Sequence, residues 1–179
     1  MDKTIVINLF GGPGSGKSTT ASGLFNKLKK RGVNCEYVQE YAKDLVWGEN
    51  LKTLDNQIHI YGEQHNRIFR LKGKVDIIIT DSPPVMGMVY CDWTKTSPIL
   101  KQLACAEHHR DDVNTLNFFI IRDKPYNPKG RTQTNDEAKI VDDNVRGLLS
   151  DFKIDYKEII GDTMVEENIL KEIVKYYPI

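Results

Sequence analysis

Short apolar runs alternate with stretches whose apolar residues recur at helical spacing, and the alternation repeats five times along the chain. Thr4 to Phe10 is apolar almost throughout, as expected of a strand covered on both faces. A glycine-rich turn follows, then a helix predicted from about Lys17 to Lys30 and ended by Gly32. Asn34 to Gln39 reads as a short second strand, and about Leu54 to Leu71 as a long helix. Asp76 to Thr80 is the third strand, with three consecutive isoleucines. Residues 82–98 hold four prolines or glycines and read as irregular; Pro98 to about His109 reads as helix. Leu116 to Ile121 is the fourth strand. Residues 122–133, with two prolines and a glycine, fit no regular element. Thr134 opens a helix, and Glu137 three positions on completes a capping box. Ile154 to Ile160 is the fifth strand. Thr163 and Glu166 repeat the capping pattern ahead of an apolar face of Val165, Ile169, Ile173, Val174 and Tyr177.

Repeated strand–loop–helix units give an α/β fold with a mainly parallel sheet and right-handed crossovers. Nothing in the 179 residues suggests a second domain. The turn after the first strand carries Gly11, Gly12, Pro13, Gly14, Ser15, Gly16, Lys17 and Ser18. This is G-x-x-x-x-G-K followed by Ser or Thr, matched at every fixed position and set between a strand and a helix. Glycines let the backbone curl so that successive N–H groups face phosphate oxygens, and the helix start adds its free donors. Lys17 supplies charge to the β- and γ-phosphates, Ser18 a hydroxyl for Mg²⁺, and Thr19 a hydrogen bond to the α-phosphate. The expected architecture is the P-loop NTPase three-layer sandwich. It has a five-stranded parallel sheet in order 2-3-1-4-5, helices on both faces, and a short lid at about 122–133.

Asp81, at the end of the third strand, stands where a carboxylate would hold Mg²⁺; alternatively it caps the Asp-Ser-Pro turn. Glu40 ends the second strand. It reads equally as a base for an attacking hydroxyl or as an acidic residue near a helix start. Arg122, Lys124, Lys129 and Arg131 face one acid, Asp123, in the lid candidate. Arg122 and Arg131 suit a transferring phosphoryl group, since guanidinium binds phosphate in a fork; the bland reading is a solvated basic loop. Gln57, Tyr61, Gln64 and Arg67 share one helix face that could read a base or could be polar surface. Glu40, the adjoining Tyr41 and Gln64 are the expected acceptor-binding residues.

Composition narrows the choice. Lys plus Arg equals Asp plus Glu at 25 each, so no general electrostatic grip on nucleic acid is predicted. Three scattered cysteines show no CxxC spacing and read as ordinary thiols. His108 and His109 read as surface residues. The apolar start is too short for a signal peptide, and no run approaches a membrane span, so a cytoplasmic domain is expected. N-K-x-D and L-S-G-G-Q are absent, and the chain is short for an AAA+ motor with its helical lid domain.

FGGPGSGKST (10–19), VQEYAKDLVW (38–47), ITDSPP (79–84) and FFIIRDKPYNPKGRTQTNDEA (118–138) together resemble the P-loop kinases and ATPases that include the nicotinamide ribonucleoside kinase domain of bacteria and phages. The resemblance implies ATP as donor, Mg²⁺ held through Ser18 and Asp81, and a small nucleoside- or nucleotide-like acceptor. It also implies catalytic roles for Lys17, Arg122 and Arg131. Thymidylate and deoxynucleoside kinases usually carry an arginine just after the third strand; Ser82 and Pro83 stand here instead. Relatives in phages with hypermodified DNA make a hydroxymethylated pyrimidine in DNA a competing acceptor. A nucleotide-dependent regulatory ATPase is the third reading. Self-association stays open.

Overall fold

The computed structural model describes residues 3–123, 125 and 134–178. The chain runs β1 (Ile5–Phe10), α1 (Lys17–Lys30), β2 (Cys35–Val38), α2 (Tyr41–Trp47), α3 (Leu51–Leu54) and α4 (Gln57–Phe69). It continues with β3 (Ile77–Thr80), a 3-10 helix (Pro84–Tyr90), α5 (Ile99–His108), β4 (Asn114–Ile121), α6 (Asn135–Asp151), β5 (Lys157–Ile160) and α7 (Val165–Ile173). The five strands pair in parallel in the order β2-β3-β1-β4-β5, as the sequence predicts.

Strand alternation builds the three layers. Ile5, Ile7 and Leu9 face α1 and α7, packing on Leu24, Leu28, Ile169 and Ile173. Val6 faces the other way, towards Ile68 of α4. Phe10 and Phe119 meet Leu100 of α5, Val145 and Leu149 of α6, and Val85 and Met86 of the 3-10 helix. The two central neighbours β1 and β3 are buried along every residue, which their unbroken apolar character requires. Both therefore deliver their carboxyl ends, and the turns after them, to one rim of the sheet.

Several elements differ from expectation. The helix expected at 54–71 starts at Gln57, because Asn56 caps it by accepting from the His59 amide at 3.2 Å. Leu54 belongs to the separate turn α3, and α2 intervenes before it. The stretch 82–98 holds a 3-10 helix, with Pro84 in its first turn, where a missing N–H costs nothing. Ile154 does not join β5. Its amide returns to Leu149 O at 2.9 Å and, with Lys153 at φ 52°, closes the end of α6. The capping box at Thr134 and Glu137 forms with both bonds present. The one at Thr163 does not: α7 starts at Val165, and Asp162 accepts from the Met164 amide instead. His108 is half-buried against Phe10 and not a surface residue. The three cysteines are free thiols, with Cys35 in the core. Among the described residues, no helix is long and apolar enough to cross a membrane.

Candidate active site

The turn between β1 and α1 is a closed cradle. Gly16, the residue before α1, sits at φ 96° and ψ 6°, a left-handed conformation that lets the chain swing directly into the helix. Gly12 is required for a different reason. A Cβ there would lie 2.6 Å from Ala138 O and 2.7 Å from Asp142 Oδ1, so α6 packs onto the bare backbone of the turn. The Gly12 amide donates to Asp142 Oδ1 at 2.5 Å. Ser15 is buried, and its hydroxyl has no hydrogen-bond partner among the described residues.

Lys17 folds back over this turn, its ammonium donating to Gly11 O at 2.7 Å and Gly12 O at 2.9 Å. Burial lowers its pKa, against the pull of the Glu40, Asp81 and Asp142 carboxylates; Arg122 adds to the lowering. Those four groups follow β2 and β3, sit on α6 and follow β4, respectively. Four separate elements therefore bring charge to one ammonium group at the carboxyl ends of the strands.

Asp81 is 2% exposed and does not cap its own turn: the Ser82 amide bonds to Thr80 Oγ1 instead. The Asp81 carboxylate reaches across to β2, accepting from the Tyr37 hydroxyl at 2.7 Å and from the Glu40 amide at 3.1 Å. Burial and the Asp81 charge raise the Tyr37 pKa well above that of a free phenol, so its hydroxyl keeps its proton. Glu40 occupies the N-cap position of α2 but its side chain makes no capping bond. Burial raises its pKa, with Lys17 opposing and Asp81 reinforcing. A carboxyl so placed holds a proton more readily than a surface glutamate does.

Gln64, read as acceptor-binding or as polar surface, does not lie at the surface. It is buried, its carbonyl accepts from the Tyr41 amide at 2.8 Å, and its amide donates to Gln39 O at 3.4 Å. Both ends of Gln64 thus clamp the backbone on either side of Glu40. Tyr41 carries the Arg67 guanidinium 4.8 Å above its ring, and its hydroxyl meets His59 Nε2 at 2.9 Å. Gln57 donates to Leu54 O, and Tyr61 is buried and stacked on His65. The face that read as a base reader is therefore largely engaged with its own protein.

Arg122 pairs with Asp142 at 3.0 Å and donates to Pro13 O at 2.8 Å, so the residue after β4 grips the phosphate turn. Lys124, Lys129 and Arg131, and with them most of the expected lid, lie outside the described residues. Three site residues carried no sequence signal. Tyr37 looks like any strand aromatic, and Asp142 is one of many acids on α6. Tyr90, at the end of the 3-10 helix, lies near enough to Glu40 and Asp142 for their charges to help raise its phenol above the usual range.

Mg²⁺ takes oxygen ligands, usually one or two protein groups plus phosphates and water. The Ser18 hydroxyl and the Asp81 carboxylate supply oxygen only. Among the described residues there is no cluster of three or more His, Cys, Asp or Glu side chains that could hold a metal alone. The pair fits a cation shared with nucleotide phosphates.

Sheet order, cradle and convergent charges define a P-loop phosphate-binding protein with the kinase-type α/β sandwich. The sequence matches the AAA_28 family, described as an AAA domain, over residues 6–167, and the chain belongs to that family. A search of curated proteins finds no match. By structure, the chain is similar to deoxyadenosine kinase from M. mycoides, solved with the products dCMP and a flexible dCDP bound. The TM-score is 0.59 at 14% identity, over 95% of this chain and 99% of that one. The same enzyme with bound dATP gives 0.57 at 14% identity, with the same coverage. Thymidylate kinase from Ehrlichia chaffeensis gives 0.59 at 16% identity, over 95% of this chain and 98% of that one. These likenesses are likenesses of fold.

Proposed function

We propose that the chain is a kinase that binds ATP with Mg²⁺ on residues 11–19 and transfers the γ-phosphoryl group to a nucleoside- or nucleotide-like acceptor. The observation that carries this reading is the gathering of Glu40, Asp81, Asp142 and Arg122 around Lys17 at the sheet rim. The raised carboxyl at Glu40 suits an attacking hydroxyl, that of an acceptor in a kinase or of water in a hydrolase, so acceptor transfer is what separates the two.

The cradle amides and the α1 N-terminus bind the polyphosphate, and Lys17 exchanges its carbonyl partners for β- and γ-oxygens. Mg²⁺, held through Ser18 and Asp81, supplies neutralising charge. The acceptor oxygen forms the new P–O bond as the bond to the β-bridging oxygen breaks and ADP leaves. Glu40 takes the acceptor proton when the acceptor is a hydroxyl; a phosphate acceptor needs no base. Arg122 stands beside the turn as a fixed guanidinium, and Gln64 sets the backbone that aims Glu40. Positioning and charge account for the rate, as phosphoryl transfer requires.

The test is an acceptor screen with γ-labelled ATP across nucleosides, nucleoside monophosphates, nicotinamide riboside and DNA containing hydroxymethylated pyrimidines. Lys17→Ala should lower transfer by about 10³-fold while circular dichroism stays unchanged. Label that reaches no acceptor, with ATP hydrolysed at the same rate in every mixture, would sink the kinase reading. That outcome would favour a nucleotide-dependent regulatory ATPase, the reading that the AAA description of the family supports.

A further inference from the structure

Tyr37 lies on β2, and its ring packs against the core beneath α1. Its hydroxyl donates to Asp81 Oδ2 at 2.7 Å. Thus a phenol on β2 holds the carboxylate that follows β3 and is assigned to the cation, from a strand that supplies no ligand itself.

The donor count fixes the direction of this bond. An ionised carboxylate only accepts, so the single Tyr37 proton goes to Asp81. The Glu40 amide holds Asp81 Oδ1, so the carboxylate is fixed at both oxygens while lone pairs remain for a metal.

We propose that Tyr37 is a positioning residue for the divalent cation, orienting Asp81 through its one hydroxyl. This rests on the reading of Ser18 and Asp81 as the cation pair. Groups that orient metal ligands are commonly worth 10- to 100-fold in metal affinity. Nothing in the chain of bonds touches nucleotide, so nucleotide affinity without metal should not depend on Tyr37.

The experiment uses Mn²⁺ as probe, titrated into the full chain with a saturating non-hydrolysable ATP analogue and followed by electron paramagnetic resonance. Analogue affinity in EDTA is measured on the same preparations by calorimetry. Tyr37→Phe keeps the ring and loses the hydroxyl. It should weaken Mn²⁺ binding by about tenfold and leave the EDTA affinity within about twofold. Wild-type Mn²⁺ affinity in Tyr37→Phe overturns the inference and leaves the cation pair standing. Equal losses of Mn²⁺ and EDTA affinity also overturn it, since the residue would then be merely structural. Asp81→Asn separates the two levels: if it too binds Mn²⁺ like wild type, the cation pair falls and the role of Tyr37 with it.

Discussion

Arg122 and Asp142 pair at 3.0 Å, and each also holds the phosphate turn, Arg122 through Pro13 O and Asp142 through the Gly12 amide. Their side chains are only 12% and 14% exposed, so the pair is a largely desolvated unit. Removing one partner from such a pair leaves the other charge stranded. Asp142→Ala should therefore cost about 3 kcal/mol in urea denaturation. Asp142→Asn keeps an acceptor for Gly12 and should cost roughly half as much. Equal losses for the two variants would mean that charge, and not the amide contact, is what matters.

Two glycine substitutions should part company. Gly12→Ala drives a Cβ into the Ala138 carbonyl, which α6 cannot easily withdraw. It should lower stability by about 2 kcal/mol and weaken nucleotide binding as the turn shifts. Gly23→Ala meets only the end of the Glu166 side chain, which can swing away. Inside α1 that change should be neutral or stabilising by up to about 1 kcal/mol. Thermal melts of both variants, with nucleotide titrations, check the contrast.

Burial, and then the neighbouring His109, push the His108 pKa down to about 4. Between that value and the unfolded value of about 6.5, the unfolded chain takes up a proton that the folded chain refuses. Stability from this group is thus complete above about pH 6.5 and falls as pH drops towards 4, by up to about 3 kcal/mol. Urea midpoints at pH 7 and pH 4.5 should differ more for wild type than for His108→Gln. The same slope in both would dismiss His108 as the source.

Glu40→Gln tests the proton acceptor. With a hydroxyl acceptor, kcat should fall by about 10²-fold while ATP affinity holds, because Glu40 reaches the reacting group and not the cradle. With a phosphate acceptor the loss should be small. Comparing one nucleoside with its monophosphate in the acceptor screen reads this directly.

Sheet order, the glycine-lysine turn and the position of Asp81 at the end of β3 were legible in the sequence, because unbroken β-branched runs and a glycine-lysine signature are local patterns. The cap at Asn56 was not: it sits inside a stretch whose apolar spacing continues on both sides, so the helix looked longer than it is. The burial of Gln64 was hidden for a deeper reason. Helical spacing tells which face a side chain is on, yet whether that face meets solvent or the backbone of Gln39 and Tyr41 is settled by α2, a helix the pattern did not reveal. Tyr37 and Asp142 matter through partners 44 and 130 residues away, and no spacing rule reaches so far.

The connection between β4 and α6 leaves the phosphate turn and comes back to it. Arg122 holds Pro13 where the connection departs, and Asp142 and the Ala138 carbonyl press on Gly12 after it returns. Its two roots are thus moored to the same two-residue stretch of backbone, Gly12 and Pro13, in the turn proposed to hold a triphosphate. Any guest that nudges Gly12 or Pro13 tugs both moorings together, with no messenger needed between them.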